Sequence, residues 1–243
     1  MNVMLFDGSM EEFLMAVFQV YVEKKEPLLY REEDFIPNMI DVVEPLVFQE
    51  EAFSRVSKAM KSKFPKEALD VLTYGLNHRD PLAPTLLLKY VMACFSRPTF
   101  AFQYQDELIM RVTKLSRQVS LESHRFKGFV RFQKLQELYF AKIQPDHDIL
   151  PFIADHFMDR FQEESFVIYD EKRQQAIFCQ DHQWVLKRDL ALDEKLFQED
   201  LHSKAWSMYF THISIDSRVN PRGQKRSMPT RYWPNLPETR TQH

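Results

Sequence analysis

The groups in this sequence best suited to chemistry are crowded into one short stretch. Pro145-Asp146-His147-Asp148-Ile149-Leu150-Pro151 is followed by Asp155, His156 and Asp159, so four carboxylates and two imidazoles fall within 14 residues. An imidazole titrates near neutral pH, and a neighbouring carboxylate can orient it. His147 beside Asp146 or Asp148 is therefore a candidate acid–base pair. The same residue types bind metals, but the spacing argues against a metal site. His147 and His156 are nine apart, and no H-E-x-x-H pair places two imidazoles on one helix face. A structural reading competes with the catalytic one. Asp148 suits the N-cap of the helix that follows, Asp146 suits a turn, and Asp155 and Asp159 can flank Arg160 on an exposed face.

Two further stretches suit a polyanion. Between residues 111 and 134 stand Arg111, Lys114, Arg117, Arg125, Lys127, Arg131 and Lys134, with Glu122 the one acid and His124 a possible eighth cation. On a helix, Arg111, Lys114, Arg117, Glu122 and Arg125 would track one polar stripe. Such rows hold phosphates and gain affinity by releasing counterions. A solvated helix face opposite an apolar one has the same composition. Nearer the C-terminus no acid occurs between Asp216 and Glu238, while Arg218, Arg222, Lys225, Arg226 and Arg231 do, with Tyr232 and Trp233 beside the last. Arginine on phosphate and rings on unpaired bases is one use of that composition. An arm folded back over its own domain and pinned by Trp233 and Pro229 is the other.

Composition removes several classes. Four glycines, none clustered, exclude a Walker A loop and a dinucleotide-binding fingerprint. Cys94 and Cys179 form no C-x-x-C pair, so a zinc ribbon or iron–sulfur cluster held by this chain alone is not expected, and both read as buried thiols. No nucleophile elbow, paired catalytic glutamates or uracil-glycosylase water-activating signature is present, and no cofactor is expected. No charged segment precedes the first apolar run, and no run of about 18 apolar residues exists, so a cytoplasmic protein is expected. The net charge of −3 is uneven: residues 1–60 hold twelve acids and five bases, or −7, leaving +4 for the rest. Asymmetry of that kind suits a face for a polyanion.

The elements that must position these residues read as α+β. Val3–Phe6 is β-prone, Asp7-Gly8 turns, and Ser9 with Glu12 makes a capping box for a helix over 10–24. Residues 35–48 are extended and allow one strand. A helical middle follows, with helices opened near Pro65 and Pro84 and another over 106–124. Phe126–Phe132 and Leu138–Ile143 read as two strands. The loop at Pro145–Asp148 leads into a helix through Arg160. Phe166–Tyr169, Ala176–Cys179 and Trp184–Leu186 read as three strands, Asp193–His212 as a helix, and the chain after Pro221 as a basic tail. The expected architecture is an N-terminal β-α unit, a helical middle and a small C-terminal antiparallel sheet with packed helices. Its two regions are 1–125 and 126–243, which could form one continuous domain.

Several long stretches together resemble one bacterial family. They are His124–Phe132, Ile143–Pro151 with Ala154–Phe161, and Asn220-Pro-Arg with Gln224 and Met228–Trp233. Ile168-Tyr-Asp170, Arg173 and the opening Phe6-Asp7-Gly8 also fit. The family is described as "probable DNA metabolism protein". The resemblance implies a companion of a radical-SAM protein assigned to DNA repair, and in some relatives a fusion to a uracil-DNA-glycosylase-like domain. It carries no catalytic residue over. The function expected is thus a DNA-repair accessory that binds DNA while a radical-SAM or glycosylase-type partner does the chemistry. An enzyme acting on a base or repair intermediate through His147 with Asp146 or Asp148 is one alternative. A protein-interaction scaffold using the acidic N-terminal half is another.

Overall fold

The computed structural model describes residues 2–135, 138–162, 164–190 and 228–236. The chain divides into two compact units, Met1–Ser120 and Leu121–His243. The architecture is α+β, with an N-terminal strand–helix unit and a largely antiparallel C-terminal sheet.

The first unit opens with β1 (Asn2–Phe6), whose Val3, Met4 and Phe6 are buried. Gly8 takes φ 87, a left-handed conformation that glycine adopts without a Cβ clash. That turn delivers Ser9 to the N-terminus of α1 (Met10–Glu23), where its hydroxyl accepts from the Glu12 amide at 3.2 Å. The Glu12 carboxylate reaches back to the Asp7 amide at 2.7 Å, two residues before Ser9, the expected capping-box partner. β2 (Leu28–Arg31) and β3 (Val42–Glu44) flank β1 in a three-stranded sheet of order β2-β1-β3, with both pairings parallel. β2 is an element the periodicity did not predict. Helices α2 (Glu50–Lys63), α3 (Lys66–Gly75) and α4 (Ala83–Ser96) complete the core, which gathers Phe6, Phe13, Met60, Leu72, Leu87, Tyr90 and Val91.

Two polar devices hold this unit's edge. Thr85 on α4 donates its hydroxyl to the Leu29 carbonyl at 2.9 Å and accepts from the Leu29 amide at 2.8 Å. One side chain thereby does for the outer edge of β2 what a neighbouring strand would do. Arg31 pairs with Asp34 at 2.8 Å and donates to the carbonyls of Leu76 and His78 beyond α3.

Helix α5 (Glu107–Phe129) crosses the division between the units. It runs past residue 124, so Phe126 and Phe129 are helical rather than part of the expected strand. In the second unit β4 (Gln133–Leu135), β5 (Leu138–Ile143), β6 (Phe166–Asp170), β7 (Gln175–Gln180) and β8 (Gln183–Lys187) form one sheet in that order. β5 and β6 are parallel, joined through α6 (Leu150–Phe161), while the other three pairs are antiparallel. Asp181 and His182, both at positive φ, make the two-residue turn of the β7–β8 hairpin. Phe132, Phe157, Phe161 and Phe166 stack edge-on or tilted at 4.5–5.8 Å, the ring-on-ring core that the aromatic content predicts. The helix expected over Asp193–His212 lies outside the described residues. Among those described, no helix is long and apolar enough to cross a membrane.

The Thr85 bracket gives a direct test. Thr85→Val keeps the shape but leaves the amide and carbonyl of the fully buried Leu29 without their partner, and should cost about 2–4 kcal/mol. Urea unfolding followed by circular dichroism measures it. An unchanged midpoint would show that Leu29 finds other partners.

Candidate functional site

The Asp146–His147 stretch is a loop between β5 and α6, and the second unit grips it from two sides. On one side is Glu122 of α5, a carboxylate only 3% exposed. Its oxygens accept from the amide of Asp146 at 3.0 Å and the amide of His147 at 2.7 Å. A buried carboxylate keeps its charge only when donors replace its lost water, and two consecutive backbone N–H groups supply them. Tyr232 adds a third by donating its phenol to the same carboxylate. Burial, and then its hydrogen bond to Glu122, push the Tyr232 phenol well above its ordinary value, so it stays protonated and donates.

On the other side is Arg173, in the turn after β6. Its guanidinium donates to the Asp146 carbonyl at 2.6 Å and the Pro145 carbonyl at 3.4 Å. It also pairs at 2.8 Å with Asp170, which is fully buried. The Asp170 carboxylate folds its own turn as well, accepting from the amides of Lys172 at 3.0 Å and Arg173 at 3.4 Å. Burial pushes the Asp170 carboxyl up to about 6 despite the opposing charge of Arg173.

The segment Met228–Leu236 closes the arrangement. A 3₁₀ turn over Thr230–Asn235 brings Arg231 to Asp146, Nε to Oδ2 at 2.9 Å, and to the Tyr232 hydroxyl at 2.8 Å. Glu122, Asp146, Arg231 and Tyr232 therefore form a closed ring of polar contacts. The Tyr232 ring packs on Phe126 at 5.0 Å and Phe129 at 6.0 Å, the two aromatics at the end of α5. Trp233 is buried and donates to the Met228 carbonyl at 3.0 Å. The small cavity beside Tyr232 has room for about one water.

This geometry revises several sequence expectations. Asp146 is paired with Lys172 at 3.2 Å and with Arg231. Asp148 accepts from Gln175 at 2.8 Å and is not the N-cap, since α6 has Ile149 there with no side-chain cap. His147 is 7% exposed, on the loop Glu122 holds. His124 is exposed, two residues and about 200° around the helix from Glu122, so the two imidazoles are not brought together. Asp155 accepts from Trp184 at 2.8 Å, while His156 and Asp159 lie exposed on α6. Among the described residues no three His, Cys, Asp or Glu side chains gather closely enough to hold a metal ion.

The cationic residues divide three ways. Arg111, Lys114 and Arg117 are exposed on α5; Arg125 and Lys127 are half-buried. Arg131 folds back on the end of α5, donating to the carbonyls of Gly128 at 2.7 Å and Val130 at 3.4 Å. Tyr232 and Trp233, expected as stacking platforms, are 4% and 7% exposed and offer no open ring face to a base. Arg218, Arg222, Lys225 and Arg226 lie outside the described residues. Sequence reasoning placed Glu122 on the surface stripe and drew no role for Asp170; the lone acid among seven bases was the available signal. Both cysteines are buried as expected, and burial holds the Cys94 thiol up at about 11.

The fold and network define an α+β protein whose polar cluster clamps one loop. Residues 81–238 match the sequence model of DUF4130, described as a domain of unknown function, and the chain belongs to that family. The match takes in Glu122, Asp146, Asp170, Arg173 and Tyr232, while β1 to α3 precede it. No curated protein and no solved structure matches the chain.

Asp170 gives a pH prediction. An acid whose folded value lies above its unfolded one binds more protons folded than unfolded between the two. Its contribution to stability therefore falls as pH rises from about 4 to about 6 and is level beyond. Two pH units at about 1.4 kcal/mol each bound the fall at about 3 kcal/mol. The difference in unfolding free energy between the natural protein and Asp170→Asn should drop across that window. A difference that stays flat from pH 4 to pH 7 would mean that Asp170 titrates like an exposed aspartate.

Proposed function

We propose that the chain is a DNA-binding accessory protein of DNA repair or metabolism. It presents a strand or lesion to a partner of radical-SAM or uracil-DNA-glycosylase-like type, and that partner carries the reaction with its own cofactor. The partner classes come from the resemblance of His124–Phe132, Ile143–Pro151 and Met228–Trp233 to the bacterial DNA-metabolism family.

The observation that carries the reading is the disposition of charge over residues 111–134. Seven bases stand against one acid there, and that acid, Glu122, is withdrawn from the surface into the clamp. Arg111, Lys114 and Arg117 meet solvent on α5, where the exposed acid of the helix is Glu107, one turn before Arg111. A cationic row of this kind binds phosphate without needing a base-specific contact. The acid–base alternative is less well supported, because Asp146 and Asp148 are engaged by Lys172, Arg231 and Gln175.

The test is binding of single- and double-stranded oligonucleotides across a salt series. Arg111→Ala, Lys114→Ala and Arg117→Ala together should weaken binding and flatten the log–log salt slope by about 2–3, near 0.9 for each duplex phosphate that is no longer neutralised. All three residues are exposed, so the fold should survive. Absent binding, or a slope untouched by the triple substitution, would sink the proposal.

A further inference from the structure

The two outer edges of the first unit's sheet are finished differently. Thr85 closes the edge of β2 at Leu29. The edge of β3 presents Val42 and Val43 at 59% and 45% exposure. Consecutive strand residues point to opposite faces, so both faces of β3 are open. The chain on either side continues the apolar surface, with Ile36 at 87%, Met39 at 101%, Ile40 at 65% and Phe48 at 54% exposure. Isolated exposed apolar residues are ordinary, but a concentration within 13 residues, beside a strand edge that no other described strand pairs with, marks an interaction surface. Lysine often blunts an exposed edge; β3 itself carries none, and the lysine beside it, Lys25, is taken up by Glu44 at 2.9 Å. Between Glu32 and Glu51 there are seven acids and no base. Glu32, Glu33, Glu50 and Glu51, which flank this stretch in sequence, are exposed.

We propose that the β3 edge is the docking site for an extended protein segment that alternates apolar and basic residues and adds to the sheet beside β3. Strand addition draws affinity from main-chain hydrogen bonds, and side-chain chemistry sets the partner. Apolar side chains of the incoming segment lie against Ile40, Val42 and Val43, and its lysines or arginines meet the surrounding carboxylates. The sign of the charge selects among occupants. A second copy pairing symmetrically through this edge would bring the same acids face to face, and like charges across a strand pair are destabilising. Nucleic acid is repelled outright. The surface lies before residue 81, outside the stretch matched to the family domain, and it stands independently of DNA binding.

The test uses the full chain and a short fluorescein-labelled peptide of alternating valine and lysine, read by fluorescence polarisation at two salt concentrations. A valine–glutamate peptide and valine–lysine peptides N-methylated on either alternate set of amides serve as controls. The valine–lysine peptide should bind, more weakly at high salt, and drop about tenfold or more in affinity for Val42→Lys and for Val43→Lys. One of the two methylated peptides should fail. If either variant departs from the natural circular dichroism, Ile40→Lys takes its place. Equal binding of the valine–glutamate peptide, indifference to the substitutions, or indifference to both methylation sets would overturn the proposal. So would sedimentation showing a dimer that Val43→Lys makes monomeric.

Discussion

The second unit is organised around a buried negative charge. Glu122 sits within α5, and burying an ionised carboxylate costs several kcal/mol unless charge-assisted hydrogen bonds replace its water. The chain meets that cost from two distant places. The β5–α6 loop turns the amides of Asp146 and His147 toward it, and the segment around Tyr232 brings a phenol. Once Glu122 is fixed, the loop's carbonyls are left for Arg173, which is itself steadied by Asp170. Asp146 then has its side chain placed to receive Arg231 and Lys172. Removing the carboxylate would take away the one acceptor that these two amides and the phenol share.

Local signals made much of the fold legible. Gly8, Ser9 and Glu12 specify how β1 passes into α1, and Pro84 marks the start of α4, because turn chemistry and capping act within a few residues. The strands β6 to β8 show themselves by short apolar runs separated by turn residues. What local reading misses is what distant residues decide. Phe126 and Phe129 suit a strand or a helix by spacing, and their place in α5 comes with packing against Tyr232, far along the chain. β2 is four residues long and depends on β1 and on Thr85 of α4.

The candidate site was less legible for the same reason. Glu122 among bases resembles a surface residue, and its partners lie 24, 25 and 110 residues away. Asp146, His147 and Asp148 resemble an acid–base set, yet the carboxylates are committed to lysine, arginine and glutamine partners that no local pattern announces. Tyr232 and Trp233 beside Arg231 resemble a stacking platform, and burial reassigns them to holding the chain's own loop. The exposed arginines of α5 remain available for phosphate. Withdrawing the one acid from that stretch links the internal clamp to the surface charge on which the proposed function rests.

The most direct measurement is a double-mutant cycle on Glu122→Gln and Tyr232→Phe, read as unfolding free energy. If the buried carboxylate and the phenol form one cooperative network, each single change destabilises and the pair shows a coupling of about 1–3 kcal/mol. Effects that add to within about 0.5 kcal/mol would contradict the account, since the two groups would then act independently and Glu122 would not be the point on which the loop and the 228–236 segment are jointly held.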